Sequence, residues 1–365
     1  MEQGNRRKEN GEHSGWSAPV AGFCCIGSIV CVLVLVACAR STAPAAATVF
    51  VSDETGGVVA TIDPEMGTVL ERIAVGKRPR GIRLTRDGRH LLVALSGSPI
   101  AGPGTDESQL PPADRSADGI GLISLDDRKL VRILPSGQDP EAFDISPDGN
   151  TIYVSNEETA EVSVLDLKDG TIRARVPVGE EPEGVTVSPD GRFVYVTCEA
   201  DNEVVAIDTT SLAVIQRMRT APRPRSVVFT ADGATAFVTA ENGAAVTVVE
   251  ARSHSPSATI KIPELPGAQI APRPMGAVLA LDGREMYVTL GRARSVAVID
   301  VAERRVTRTV PDVGTRPWGI AISADGKKVY TANGPSGDVS VIDVASGRVE
   351  RRINTGGSPW GVVSR

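Results

Sequence analysis

The sequence predicts an all-β fold, a seven-bladed β-propeller of four-stranded antiparallel blades. Three observations carry that expectation. First, a tetrapeptide with proline second and a small residue fourth precedes an apolar run seven times. It stands at Arg78-Pro79-Arg80-Gly81, Asp139-Pro140-Glu141-Ala142, Glu181-Pro182-Glu183-Gly184, Arg223-Pro224-Arg225-Ser226, Arg273-Pro274-Met275-Gly276, Arg316-Pro317-Trp318-Gly319 and Ser358-Pro359-Trp360-Gly361. The prolines lie 61, 42, 42, 50, 43 and 42 residues apart, so a unit of about 42 residues repeats, once lengthened by 19 and once by 8. A fixed period in this range marks a repeat architecture. Second, an Asp-Gly turn recurs at Asp87, Asp148, Asp190, Asp232, Asp282 and Asp325. Third, only 4% of residues are aromatic, so the core is built from Val, Ile, Leu and Ala, as short strands prefer.

One repeat shows how each blade is made. Gly184 to Ser188 is a first strand, and Pro189-Asp190-Gly191 is a turn in which Gly supplies positive φ. Phe193 to Thr197, Glu203 to Asp208 and Ala213 to Met218 are the second, third and fourth strands. Four short strands with turn signals between them make a propeller blade.

The mismatch between six turns and seven proline sites predicts how the ring closes. The last unit holds a first strand and little more, whereas Thr48 to Gly76 holds a second, third and fourth strand but no first. Joining the two fragments makes a seventh blade, with three strands from the N-terminal side and one from the C-terminal side. Closure also removes the open sheet edges that an unclosed array would present.

Ahead of the repeats, Arg6, Arg7 and Lys8 precede an uncharged, largely apolar run from Ser14 to Ala39, the pattern of an export signal. Its end, Leu35-Val36-Ala37-Cys38, resembles a bacterial lipobox, which implies lipidation of Cys38. An uncleaved signal anchor is the alternative. The expected organisation is a leader or anchor over 1–38, a tether over 39–47 and a propeller over 48–365. Each alternative places the propeller outside the cytoplasm, in the periplasm, attached to the membrane at its N-terminal end. Net charge is −6 with acids and bases interspersed, which argues against a nucleic-acid partner. Four of the five cysteines lie in the leader, so Cys198 has no internal disulfide partner.

The second strands read Tyr153-Val-Ser-Asn156, Tyr195-Val-Thr-Cys198, Phe237-Val-Thr-Ala240, Tyr287-Val-Thr-Leu290 and Tyr330-Thr-Ala-Asn333, which resemble the YVTN β-propeller repeat. Arg78 to Ile82, the insert-bearing stretch Ala94 to Ser108 and the sites at Trp318 and Trp360 look like the propeller associated with pyrroloquinoline-quinone-dependent alcohol catabolism. That resemblance implies a pathway context, with a periplasmic quinoprotein dehydrogenase or its cytochrome as partner. It brings no catalytic residue and no cofactor.

Function is sought where the repeat varies. The 19-residue excess falls at about Gly97 to Asp118 and the 8-residue excess at about Pro263 to Arg273, both on the face that carries the proline sites. The residue after each proline starts an innermost strand near the channel mouth. In ring order these are Arg80, Glu141, Glu183, Arg225, Met275, Trp318 and Trp360. Two arginines flank two glutamates on one arc, and Met275 with two tryptophans forms the other. This arrangement suits a planar or cationic ligand, or a partner side chain, held by stacking and oriented by Arg80 and Arg225. The alternative is that the tryptophans only pack against neighbouring blades. Glu54, Glu157, Glu199 and Glu241 share another repeat position and are expected to be solvated loop acids rather than a metal cage.

Signals for catalysis are thin. His90 and His254 stand in different blades without a metal-binding motif, and Cys198 has no basic neighbour to activate it. The expectation is a non-catalytic, monomeric binding propeller without cofactor or metal. A lactonase-like hydrolase and a cell-surface interaction protein are the alternatives.

Overall fold

The computed structural model describes residues 47–100, 106, 109–265 and 270–365. The leader, the lipobox at Cys38 and nearly all of the tether lie outside the described residues. Among those described, 28 strands, numbered in chain order, form seven four-stranded antiparallel sheets. Seven blades and their four-strand pattern are as the sequence predicts.

The closing blade runs in the order β28 (Pro359–Ser364), β1 (Val49–Asp53), β2 (Val58–Asp63) and β3 (Thr68–Ala74). Its seam pairs Val49 with Ser364, Phe50 with Val363 and Val51 with Val362. The backbones of Thr48 and Arg365 add reciprocal hydrogen bonds at the end of the seam. One strand from the far end of the sequence thus completes a sheet begun some 300 residues earlier.

Burial follows each strand's place in its blade. Second strands such as Thr151–Asn156 and Phe193–Cys198 are buried after their first residue, because blades cover both of their faces. Fourth strands at the rim alternate, as in Lys129–Leu134, where exposed and half-buried residues take turns until Leu134 is buried. Between neighbouring blades the cores are aliphatic. Val194, Val196, Val205 and Ile207 of one blade, for example, pack with Val162 and Val164 of the blade before it.

The Asp-Gly turns are self-contained. Thr85, Ser188, Thr230 and Ser323 each donate a hydroxyl hydrogen bond of 2.6 Å to the aspartate two residues on. Each aspartate also accepts the backbone N–H two residues beyond itself. The arrangement recurs at Ser146 and Asp148.

Candidate functional site at the channel mouth

The proline tetrapeptide is a device for aiming side chains. In the strands Pro140–Ile145, Pro182–Val187, Pro224–Phe229 and Pro317–Ile322, pairing with the second strand breaks register between the proline and the residue three further on. Such a bulge bends the strand and redirects the side chain within it, here the residue after proline.

The small fourth residue has a separate cause. A Cβ on Gly184 would lie 2.3 Å from the carbonyl oxygen of Arg225, and one on Gly361 would lie 2.7 Å from that of Arg80. The neighbouring blade therefore packs its own aimed residue, by its backbone, directly onto this position. Hydroxyls of the second strands fasten the same carbonyls. Ser52 donates to Arg80 O at 2.5 Å, Ser155 to Glu183 O at 2.7 Å and Thr289 to Trp318 O at 3.0 Å. The Ser or Thr of the YVTN-like strands is thus an inter-blade latch.

The residue before proline is aimed too. Arg78, Asp139, Glu181, Arg223 and Arg316 have φ of 40°, 55°, 51°, 61° and 53°, a left-handed conformation that non-glycine residues avoid and that proline disfavours in its predecessor. The same conformation occurs at turns on the opposite face, as at Arg128, Leu212, His254 and Arg304, so at the mouth its effect is to aim the side chain. None of these five is among the site residues expected from the sequence, although each stands in the tetrapeptide itself.

Together these residues line a cavity of about 760 Å³ at the mouth. The first insertion walls it with Ser98, Pro99, Ile100, Leu110 to Ala113 and Arg115. Arg78 binds that wall at the carbonyl of Ser98, at 3.0 Å, and Arg115 donates to Ser98 Oγ at 3.0 Å and pairs with Glu158. Six arginines and eight carboxylates line the cavity, so its balance is acidic.

The four blades that begin at Pro79, Pro140, Pro182 and Pro224 carry a buried ion-pair network. Arg80, 2% exposed, pairs with Asp139 and Glu141 and donates to Pro140 O at 3.0 Å. Arg225, 8% exposed, meets Glu183 at 2.9 Å and Glu241 at 2.8 Å, and also pairs with Glu199. Arg223 adds a 2.7 Å contact to Glu199. Burial alone would raise the pKa of Asp139 and Glu241, but Arg80 and Arg225 respectively bring both below their ordinary values. Glu157 behaves oppositely. Burial and the charge of Glu183 push its carboxyl up to about 7, against the pull of Arg80.

The remaining arc is aromatic. Trp318 and Trp360 lie 5.6 Å apart, centroid to centroid, with ring planes inclined by 40°. The guanidiniums of Arg225 and Arg316 stand over Trp318 at 5.0 and 4.8 Å. Both rings are half-buried and line the cavity.

The structure brings together six of the seven residues singled out after the prolines: Arg80, Glu141, Glu183, Arg225, Trp318 and Trp360 all line the mouth. Met275, 2% exposed, instead lines a smaller cavity of about 120 Å³ deeper in the channel. Arg80 and Arg225 are clamped by the chain's own carboxylates, so they brace the floor. The expectation of solvated loop acids fails at Glu199 and Glu241, which are 5% and 7% exposed, because arginines from the adjacent proline sites draw them inward. Cys198 is buried and its thiol is pushed up to about 12 by burial, unsuited to a nucleophile. His254 binds the Tyr195 hydroxyl through Nδ1 at 2.7 Å and takes no part in the mouth. Asp139, Glu141 and Glu157 cluster closely enough to suggest a cation, but the Arg80 guanidinium already pairs with all three.

The sequence profile of YNCE-like beta-propellers matches residues 168–365, more than half of the chain. The protein belongs to the YNCE-like β-propeller family. Solved structures share this propeller's fold. The periplasmic gluconolactonase PpgL of Pseudomonas aeruginosa is 22% identical, with a TM-score of 0.70 over 87% of this chain and 98% of that one. A putative 6-phosphogluconolactonase from Bacteroides uniformis is 17% identical, with a TM-score of 0.70 over 87% and 99%. Hydrazine synthase of Kuenenia stuttgartiensis is 20% identical, with a TM-score of 0.64 over 78% and 89%. Comparison with curated proteins returns no match to this YNCE-like chain.

Proposed function

We propose that this protein is an extracytoplasmic binding propeller that takes a small organic ligand in its channel mouth. The observation that carries the reading is the 760 Å³ cavity with Trp318 and Trp360 half-buried in its wall, within the size range of small-molecule sites. Attachment through Cys38 and a periplasmic location are supported by the basic and apolar leader. A role beside a quinoprotein dehydrogenase or its cytochrome is supported by the resemblance of residues 78–108 to the propeller of quinone-dependent alcohol catabolism. Thermal-shift screening of small ring compounds against the full chain tests the reading. Hits are expected, and the double variant Trp318→Ala, Trp360→Ala is expected to lose them; hits that survive in the double variant would refute the site.

A second reading, lactone hydrolysis, is favoured by Glu157. A carboxyl with a pKa of about 7 that lines the cavity has the property of a general base. Glu183, saturated by Arg225, is the poorer base. Under this reading purified protein hydrolyses gluconolactone and Glu157→Gln abolishes the activity. Equal rates for the two proteins would exclude it.

A further inference from the structure

Five of the six arginines lining the mouth have a carboxylate of the chain as partner: Arg78 has Glu54, Arg80 has Asp139 and Glu141, Arg115 has Glu158, Arg223 has Glu199, and Arg225 has Glu183. Arg316 is the exception. Among the described residues no carboxylate lies within ion-pair distance of it, although Glu241 and Glu54 act on it from further off, and its guanidinium stands over the Trp318 ring at 4.8 Å. It is half-buried, and loss of hydration lowers its pKa. Desolvating a guanidinium without an anion is costly, and one cation–π contact offsets only part of that cost. The backbone adds to the cost, since Arg316 takes a φ of 53° ahead of Pro317 to present its side chain here.

The aromatic pair is unevenly used. Trp318 already carries both guanidiniums, whereas among the described residues no cation stands over Trp360. Charge elsewhere in the cavity sets a limit on the ligand. With eight lining carboxylates against six arginines, and Glu157 and Glu181 on the far side of the ring from Arg316, a second negative charge meets repulsion rather than a partner.

Taking the mouth to be a ligand site, as proposed above, the geometry points to a ring-bearing monocarboxylate as its ligand, with the carboxylate paired to Arg316 and the ring against Trp360. Arg316 supplies the charge-assisted, fork-shaped donor set that a carboxylate matches, and Trp360 supplies the free aromatic surface.

Calorimetric titration of the full chain with benzoate, benzamide and phthalate tests this at fixed ionic strength. Benzoate is expected to bind about tenfold more tightly than benzamide, the difference of one charge-assisted contact, and more tightly than phthalate, whose second carboxylate is unpaired. Arg316→Gln should reduce benzoate to the benzamide level, while Arg316→Lys should keep a preference for benzoate. Trp360→Ala should weaken benzoate and benzamide alike. If benzamide binds wild type as tightly as benzoate, or if Arg316→Gln leaves the ratio unchanged, the ligand is not held by its charge and the inference falls while the binding site stands. Tighter binding of phthalate would overturn the single-charge limit. If none of the three binds, the inference and the small-ligand reading fall together.

Discussion

The two arcs of the mouth are built from the same tetrapeptide and reach opposite electrostatic outcomes. In the four blades that begin at Pro79, Pro140, Pro182 and Pro224, each inward arginine meets carboxylates of its own or an adjacent blade, and Arg225 alone gathers Glu183, Glu199 and Glu241. Across the ring, Arg316 stands over an aromatic face and, among the described residues, has no carboxylate within ion-pair distance. A repeat therefore specifies where a side chain points, while its chemistry depends on what the next blade sends to meet it. The saturated arc is a brace, and the unsaturated arc is free to receive something from outside.

The contrast can be broken most forcefully at Arg225. Arg225→Ala leaves Glu183 without its ion-pair partner and Glu199 and Glu241 with only the less buried Arg223 and Arg273, and removing one partner of a buried charge network costs about 3–5 kcal/mol; urea unfolding should show a loss of that size. Trp318→Ala removes a half-buried ring that two guanidiniums and Trp360 touch. A loss of about 2 kcal/mol is expected, below the range for a fully buried aromatic, together with loss of ligand binding.

Glu157 gives a pH test of the saturated arc. Its carboxyl has a folded pKa of about 7 against an ordinary value of 4.5, so in this window the folded state holds a proton that the unfolded state has released. Stability is predicted to fall as pH rises from about 4.5 to about 7. The slope should be modest because the side chain is 35% exposed, and Glu157→Gln should flatten it. Unfolding midpoints across that range check the sign. The smallest effect is expected at Arg316. Arg316→Gln should cost no more than about 0.5–1 kcal/mol, because the cation–π contact is offset by the cost of holding a half-buried guanidinium without an anion, so the cost of removing an arginine should differ severalfold between the arcs.

How much of this was legible in the sequence depends on how far the causing contact lies along the chain. The Pro-x-small period and the Asp-Gly turns revealed seven blades because both are local, and the missing first strand at Thr48 revealed the closing seam. The site was half legible. Position in the repeat correctly brought Arg80, Glu141, Glu183, Arg225, Trp318 and Trp360 to one cavity, yet it could not show that Glu199 lies buried against an arginine 26 residues away in the next blade. For the same reason Glu199 and Glu241 read as solvated acids. Arg316 lies outside the expected site because that expectation covers only the residue after each proline. The available signal was a charged residue before proline in six of the seven sites, where no turn or capping role calls for charge.

The closing seam also sets a timetable. Trp360 belongs to β28, whose Gly361 is held by Ser52 across a separation of 309 residues, so the aromatic arc comes into being only when the two ends of the propeller meet. Contacts of such long range form slowly because the loop they close is costly in entropy. A ligand seated on Trp360 would bind the closed ring and not the open one, and by mass action would hold the ring shut. Occupancy of the mouth would then slow the opening of the seam, linking the protein's persistence to the supply of its ligand.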